Sequence, residues 1–221
     1  MHVMPSRIVG DLLILGNPGA KLAQGLEVIA GSLHSSFDEL RMLPTDYSRM
    51  SCIQAAMTAR DFLNACGINS IVVPVQLVVT VVQPNKPRII YTIGQAGNHM
   101  PEGEEWKGHL VTLCDGFLID PALYRTVEIQ PVPLLAMAAI PASNTPLLAR
   151  MNAAGDGFSV EISWIHTAGN IGWRVGDNKR TAQVRAVVVK KMLKARRGLR
   201  RYEGQPGGKR SCIKSTSISP S

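Results

Sequence analysis

Trp106-Lys107-Gly108-His109-Leu110-Val111-Thr112-Leu113-Cys114-Asp115-Gly116-Phe117-Leu118-Ile119-Asp120-Pro121 is an apolar run, an Asp-Gly pair and a second apolar run. Asp-Gly between such runs is a strong signal for a two-residue β-hairpin, because both residues tolerate the positive φ that the turn demands. The stretch predicts two antiparallel strands folded about Asp115-Gly116. His109 heads one arm and Asp120 ends the other, so the pairing sets them side by side. A histidine oriented by a carboxylate is half of a nucleophile-activating arrangement. The plain alternative is a hairpin that carries one His and one Asp near its open end. The choice turns on whether a nucleophile from elsewhere in the chain reaches that end.

Upstream, residues 48–66 predict the clearest helix. Cys52, Ala55, Ala56, Ala59, Phe62, Leu63 and Cys66 recur at helical spacing. Ser48 or Ser51 can cap its start and Gly67 can end it. The run of alanines predicts a face that a sheet can approach closely. Gln54, Thr58 and Asp61 fall opposite and read as a solvated face. Cys52 sits in the first turn, where the helix dipole favours a thiolate and free backbone N–H groups can hold a developing oxyanion. The ordinary alternative is a small buried thiol. Cys66, with no helix N-terminus beside it, reads that way. Tyr47 and Gln54 are the side chains that could add an oxyanion donor.

The remaining segments are read around these two. Leu22, Leu26, Ile29, Leu33, Phe37 and Leu40 predict a helix over 20–41 that ends before Pro44. Leu12 to Leu15 is a short strand or the end of a helix. Ile68 to Val82 is strand-rich, with Pro74 placed to divide it, and Arg88 to Ile93 is a further strand. Gly94 to Lys107 reads as a Gly-rich loop with His99. Leu123 to Pro146 gives no assignment. Phe158 to Trp164 alternates as a strand should. Residues 180–201 suit a basic amphipathic helix on Val184, Val187, Val188 and Met192, although Val187-Val188-Val189 suits a strand equally. The fold class is α+β: N-terminal helices, with the Cys-bearing helix packed on an antiparallel sheet. The expected organisation is a domain over 1–180 (core 48–125), then a basic helix and disordered tail over 181–221.

Composition narrows the function classes. With 45% apolar residues in 221, a sizeable core is available, and with 5% aromatics it must be built from Val, Ile, Leu, Met and Ala. Cys52, Cys66, Cys114 and Cys212 match neither zinc-ligand spacings nor a disulfide framework. The Gly-rich loops lack phosphate-binding grammar. No metal and no cofactor is therefore expected. His2, His34 and His166 have no constellation, and His99, in a Gly-rich loop near Glu102, Glu104 and Glu105, reads as a mobile rim rather than a metal ligand. No apolar run is long enough to span a membrane, and the first residues lack the order of a secretory signal, so a cytoplasmic protein is expected. Residues 185–214 hold eleven Lys or Arg and one acid, Glu203, for a net +10; the rest of the chain, with 13 basic and 15 acidic residues, is −2. The basicity thus belongs to the tail, which could make weak contact with nucleic acid or serve only as a solvated end.

Ser51-Cys52 opening a helix, Trp106-Lys107-Gly108-His109 entering a strand and Phe117-Leu118-Ile119-Asp120-Pro121 closing another follow one another in the chain. This order resembles the transglutaminase-like branch of the papain-like cysteine enzymes, a group that includes arylamine N-acetyltransferases. The resemblance covers roughly residues 48–125. It implies that Cys52 is the nucleophile, His109 the base that takes and returns its proton, and Asp120 the residue that orients the imidazole. It implies a hydrolase or acyl/amide transferase working through a thioester on an amide- or acyl-containing substrate. The chain departs from the family where Trp commonly follows the Cys and the His. That departure implies altered specificity or, alternatively, an inactive relative serving as a binding module with a basic tail.

Overall fold

The computed structural model describes residues 6–40, 51–94, 108–123, 136–155, 157–167, 173–174 and 177–203. Among them lie helices α1 (Ala20–Asp38), α2 (Cys52–Ala65) and α3 (Lys179–Glu203). The strands are β1 (Ser6–Val9), β2 (Leu12–Leu15), β3 (Ser70–Val82), β4 (Ile89–Ile93), β5 (His109–Cys114), β6 (Phe117–Asp120), β7 (Met137–Pro141), β8 (Leu147–Gly155) and β9 (Phe158–His166). The class is α+β, with the helices packed on a mostly antiparallel sheet ordered β1-β2-β7-β6-β5-β3-β9-β8. Among the described residues, only β2 and β7 pair in parallel. The expected disorder from about Gly204, like Tyr47, His99 and Trp106, lies outside the described residues.

The hairpin folds where the sequence places it. Cys114 faces Phe117, and between them Asp115 and Gly116 have φ of 44° and 74°. Two successive left-handed residues make the turn whose twist matches that of the flanking strands. The same register sets Thr112 opposite Ile119, so His109 and Asp120 are diagonal neighbours on one face at the open end.

Pro74 does not divide the long strand. β3 runs unbroken, with β5 along its first half and β9 along its second. The Pro74 carbonyl accepts from Thr167 N–H at 3.1 Å, just past the end of β9. A strand residue turns its nitrogen to the same side as its carbonyl, so the missing donor costs no bond to β5.

The sheet separates two cores. On the helix face, Leu12, Ile14, Leu110, Phe117 and Ile119 pack with α1 and α2. On the inner face, Val75, Leu77, Val79, Val111, Ile140, Met151, Ile162 and Trp164 form a second cluster. Residues of β7 and β8, far apart in strand order, meet in that cluster, so the sheet is curled. Helix α2 is capped by Ser51, whose hydroxyl accepts from Gln54 N–H, and closes with Ile68 N–H to Leu63 O and Gly67 N–H to Asn64 O. Its Ala55, Ala56 and Ala59 are buried, and Thr112 Oγ1 donates to Ala56 O at 2.8 Å. The alanine face therefore does admit the sheet.

The opposite face of α2 is a correction to the sequence reading. Gln54 and Thr58 are buried, not solvated. Helix α3 lies across them, burying Val184, Val188 and Met192 with α1 and α2. Arg185 is buried there too, donating to Gln54 Oε1 at 3.1 Å and Asp177 Oδ1 at 2.6 Å, with Asp61 3.5 Å away. Polar residues on a helix read as a wet face when the element that will cover them is remote in sequence. Gln54 found its partner 131 residues downstream. Among the described residues no helix is long and apolar enough to cross a membrane.

Candidate functional site

Three elements meet at the open end of the hairpin. Helix α2 brings Cys52 at its first residue, β5 brings His109 at its first and β6 brings Asp120 at its last. The Cys52 thiol donates to the Gly108 carbonyl at 3.8 Å, which pins the helix start to the head of β5. Gly94, at the end of β4, is wedged in from the other side. Its φ is +89°, and an added Cβ would stand 3.0 Å from Val75 O and 3.4 Å from His109 N, so only glycine fits against this backbone.

His109 and Asp120 are both fully buried, and His109 Nε2–H donates to Asp120 Oδ2 at 2.7 Å. That bond leaves Nδ1 as the nitrogen available to a reacting group. Nδ1 is buried and makes no hydrogen bond of good geometry, while the Cys52 thiol beside the ring still acts on it as a hydrogen-bonding and charged neighbour. Burial by itself pulls the ring's pKa down. The Asp120 carboxylate, by charge and by hydrogen bond, and then Cys52 outweigh it and lift the ring from 6.5 to about 10.

Asp120 is held by more than histidine. Trp164, from β9, donates Nε1–H to the same Oδ2 at 2.8 Å, and Ala122 N–H donates to Oδ1 at 3.1 Å. A tryptophan N–H can only donate. With three donors converging, both carboxylate oxygens are acceptors, and the bond to His109 has one direction: ring to carboxylate. His34, on α1, adds a further tie by donating Nε2–H to the Pro121 carbonyl at 2.9 Å.

The structure thus brings together all three residues that the sequence singled out. Two contributors went unseen. Trp164 alternates with Ile162 on the inner face and reads as core; its polar edge becomes informative only when the curled sheet carries it to β6. His34 was read as having no constellation and instead supports the residue after Asp120. Of the two candidate oxyanion donors, Gln54 has its carbonyl oxygen committed to Arg185, and Tyr47 lies outside the described residues. Cys66 is buried at the far end of α2. Cys114 points to the helix-side core, and burial, with Asp115 nearby, pushes its thiol up to about 12. Among the described residues no group of three or more His, Cys, Asp or Glu is placed to hold a metal ion.

No protein-family model matches the chain, and no curated protein or solved structure matches it either.

Trp164→Phe keeps most of the ring volume and deletes the N–H. The expected loss is about 1.5–3 kcal/mol of stability, the range for a hydrogen bond to a charged group. Urea unfolding measures it. A midpoint unchanged from the parent would mean that the Trp164–Asp120 bond adds nothing.

Proposed function

We propose that this protein is a cysteine-dependent hydrolase or acyl/amide transferase with a papain-like core of the transglutaminase-like kind. The observation that carries the reading is the His109–Asp120 bond at 2.7 Å, with the Cys52 thiol a hydrogen-bonding and charged neighbour of the same ring. A nucleophile, a base and an orienting carboxylate in series are the parts that thiol catalysis requires. The resemblance in the order of Cys52, His109 and Asp120 along the chain supports the same reading.

In this mechanism His109 already carries a proton on each ring nitrogen, and the Cys52 sulfur attacks a substrate carbonyl carbon as the thiolate partner of that imidazolium. The carbonyl electrons move to oxygen, which the backbone N–H groups of Cys52 and Ile53 at the start of α2 would stabilise. Collapse expels the amine, which takes the proton from His109, and leaves a thioester on Cys52. Water or an acceptor amine then attacks the thioester, with His109 accepting its proton as the Cys52 sulfur leaves as thiolate. Asp120 accepts from Nε2–H, which leaves Nδ1 as the nitrogen that exchanges a proton with the reacting groups.

Alkylation followed by mass spectrometry provides the first test. Iodoacetamide at neutral pH is expected to label Cys52 ahead of Cys66 and Cys114. A screen of amide and isopeptide substrates should then give turnover that Cys52→Ala abolishes. Full activity in the Ala variant would rule the reading out.

A further inference from the structure

We propose that the outward face of α3 binds the phosphodiester backbone of nucleic acid, independently of the chemistry at Cys52. The structure sorts the cations of this helix from Lys179 to Arg197 into two sets. Arg185, Lys191 and Arg196 face inward or sideways and have partners: Asp177 and Gln54, Glu39 at 2.9 Å, and Gln24 at 3.3 Å. Lys179, Arg180, Lys190, Lys194 and Arg197 are exposed and, among the described residues, have no ion pair or side-chain hydrogen bond. Lys190, Lys194 and Arg197 form one stripe at i, i+4 and i+7, on the side away from the buried Val184, Val188 and Met192. From Lys179 to Arg197 the set spans roughly 27 Å of helix.

This arrangement works against the helix itself. Like charges one turn apart weaken a helix by about 0.2–0.5 kcal/mol per pair. No acid relieves them before Glu203 at the helix end. A face that served solubility alone would do as well with mixed signs. The rest of the chain outside 185–214 is net negative, so the positive charge is segregated onto this element and the residues after it. A polyanion laid along the stripe removes the repulsion and releases its own counterions. An anionic membrane is the other surface that basic helices meet, but such helices lay their apolar face into the lipid. Most of the apolar face of α3 (Val184, Val188 and Met192) is already buried against α1 and α2, and only Val187 and Leu199 among its described large apolar residues are exposed. Nucleic acid, which needs only the charged side, fits what remains.

The test uses the full chain and fluorescence anisotropy with a labelled duplex DNA of about 20 base pairs and a single-stranded RNA of similar length. With about five phosphate contacts, log K should fall with log salt at a slope of about −4.5 for the duplex. The triple variant Lys190→Gln/Lys194→Gln/Arg197→Gln should bind at least about tenfold more weakly at low salt, and its slope should be shallower by about 3. Lys86→Gln, on the turn between β3 and β4, should bind as the parent does. All three substituted positions are exposed, and an unchanged circular-dichroism melt confirms that the variant is folded. Unchanged binding by the triple variant overturns the proposal. So does binding to phosphatidylserine vesicles without salt-sensitive binding to either nucleic acid. Cys52→Ala should bind like the parent, which keeps this outcome separate from that of the thiol chemistry.

Discussion

Asp120→Ala is expected to lower the stability of the fold by about 3–5 kcal/mol, the usual cost of removing one partner of a buried ion pair. The carboxylate is fully buried and accepts from His109, Trp164 and Ala122 N–H. Its loss strands two buried ring N–H donors. The imidazole then loses the charge that holds its proton and the bond that fixes its orientation. The rate of Cys52 alkylation at neutral pH should fall with it. Urea unfolding and timed alkylation, read together, measure both effects. A loss of less than about 1 kcal/mol would place Asp120 among the weakly coupled surface pairs and contradict the burial described above.

The second large effect is a dependence of stability on pH. His109 has a folded-state pKa of about 10 against 6.5 for the unfolded chain. Its contribution is therefore fully present below pH 6.5, where both states are protonated. It is lost as pH rises from 6.5 through about 10, because over that window the folded state binds a proton that the unfolded state has released. The parent should lose several kcal/mol of unfolding free energy across this range. The double variant His109→Gln/Asp120→Asn, which removes the titrating pair together and leaves no stranded charge, should lose most of that slope. Thermal melts at a series of pH values from 6 to 10 measure it. Equal slopes in the two proteins would show that His109 does not hold its proton through this window.

The hairpin and the helix start were legible because their signals are local. Asp115-Gly116 states its own turn, and Ser51, the alanines and Gly67 state where α2 begins, what it packs on and how it ends. Cys52, His109 and Asp120 followed from the positions that these elements give their terminal residues. Strands β7 and β8 were not legible. Met137 to Pro141 and Leu147 to Gly155 carry few β-branched residues, and their pairing with distant strands, not their own propensity, makes them strands.

The sequence by itself determined the α+β class and the hairpin register that sets His109 beside Asp120, and it singled out Cys52, His109 and Asp120 as the candidate residues. All of these depend on interactions within a few residues or on the order of elements along the chain. Tertiary structure alone decided that Cys52 meets the head of β5, that Trp164 clamps the Asp120 carboxylate, and that α3 covers Gln54 and Thr58. Each of those contacts joins residues 44 to 131 positions apart. Pairings over such distances leave no periodicity in the sequence; they are selected only when the sheet curls and the helices close over it.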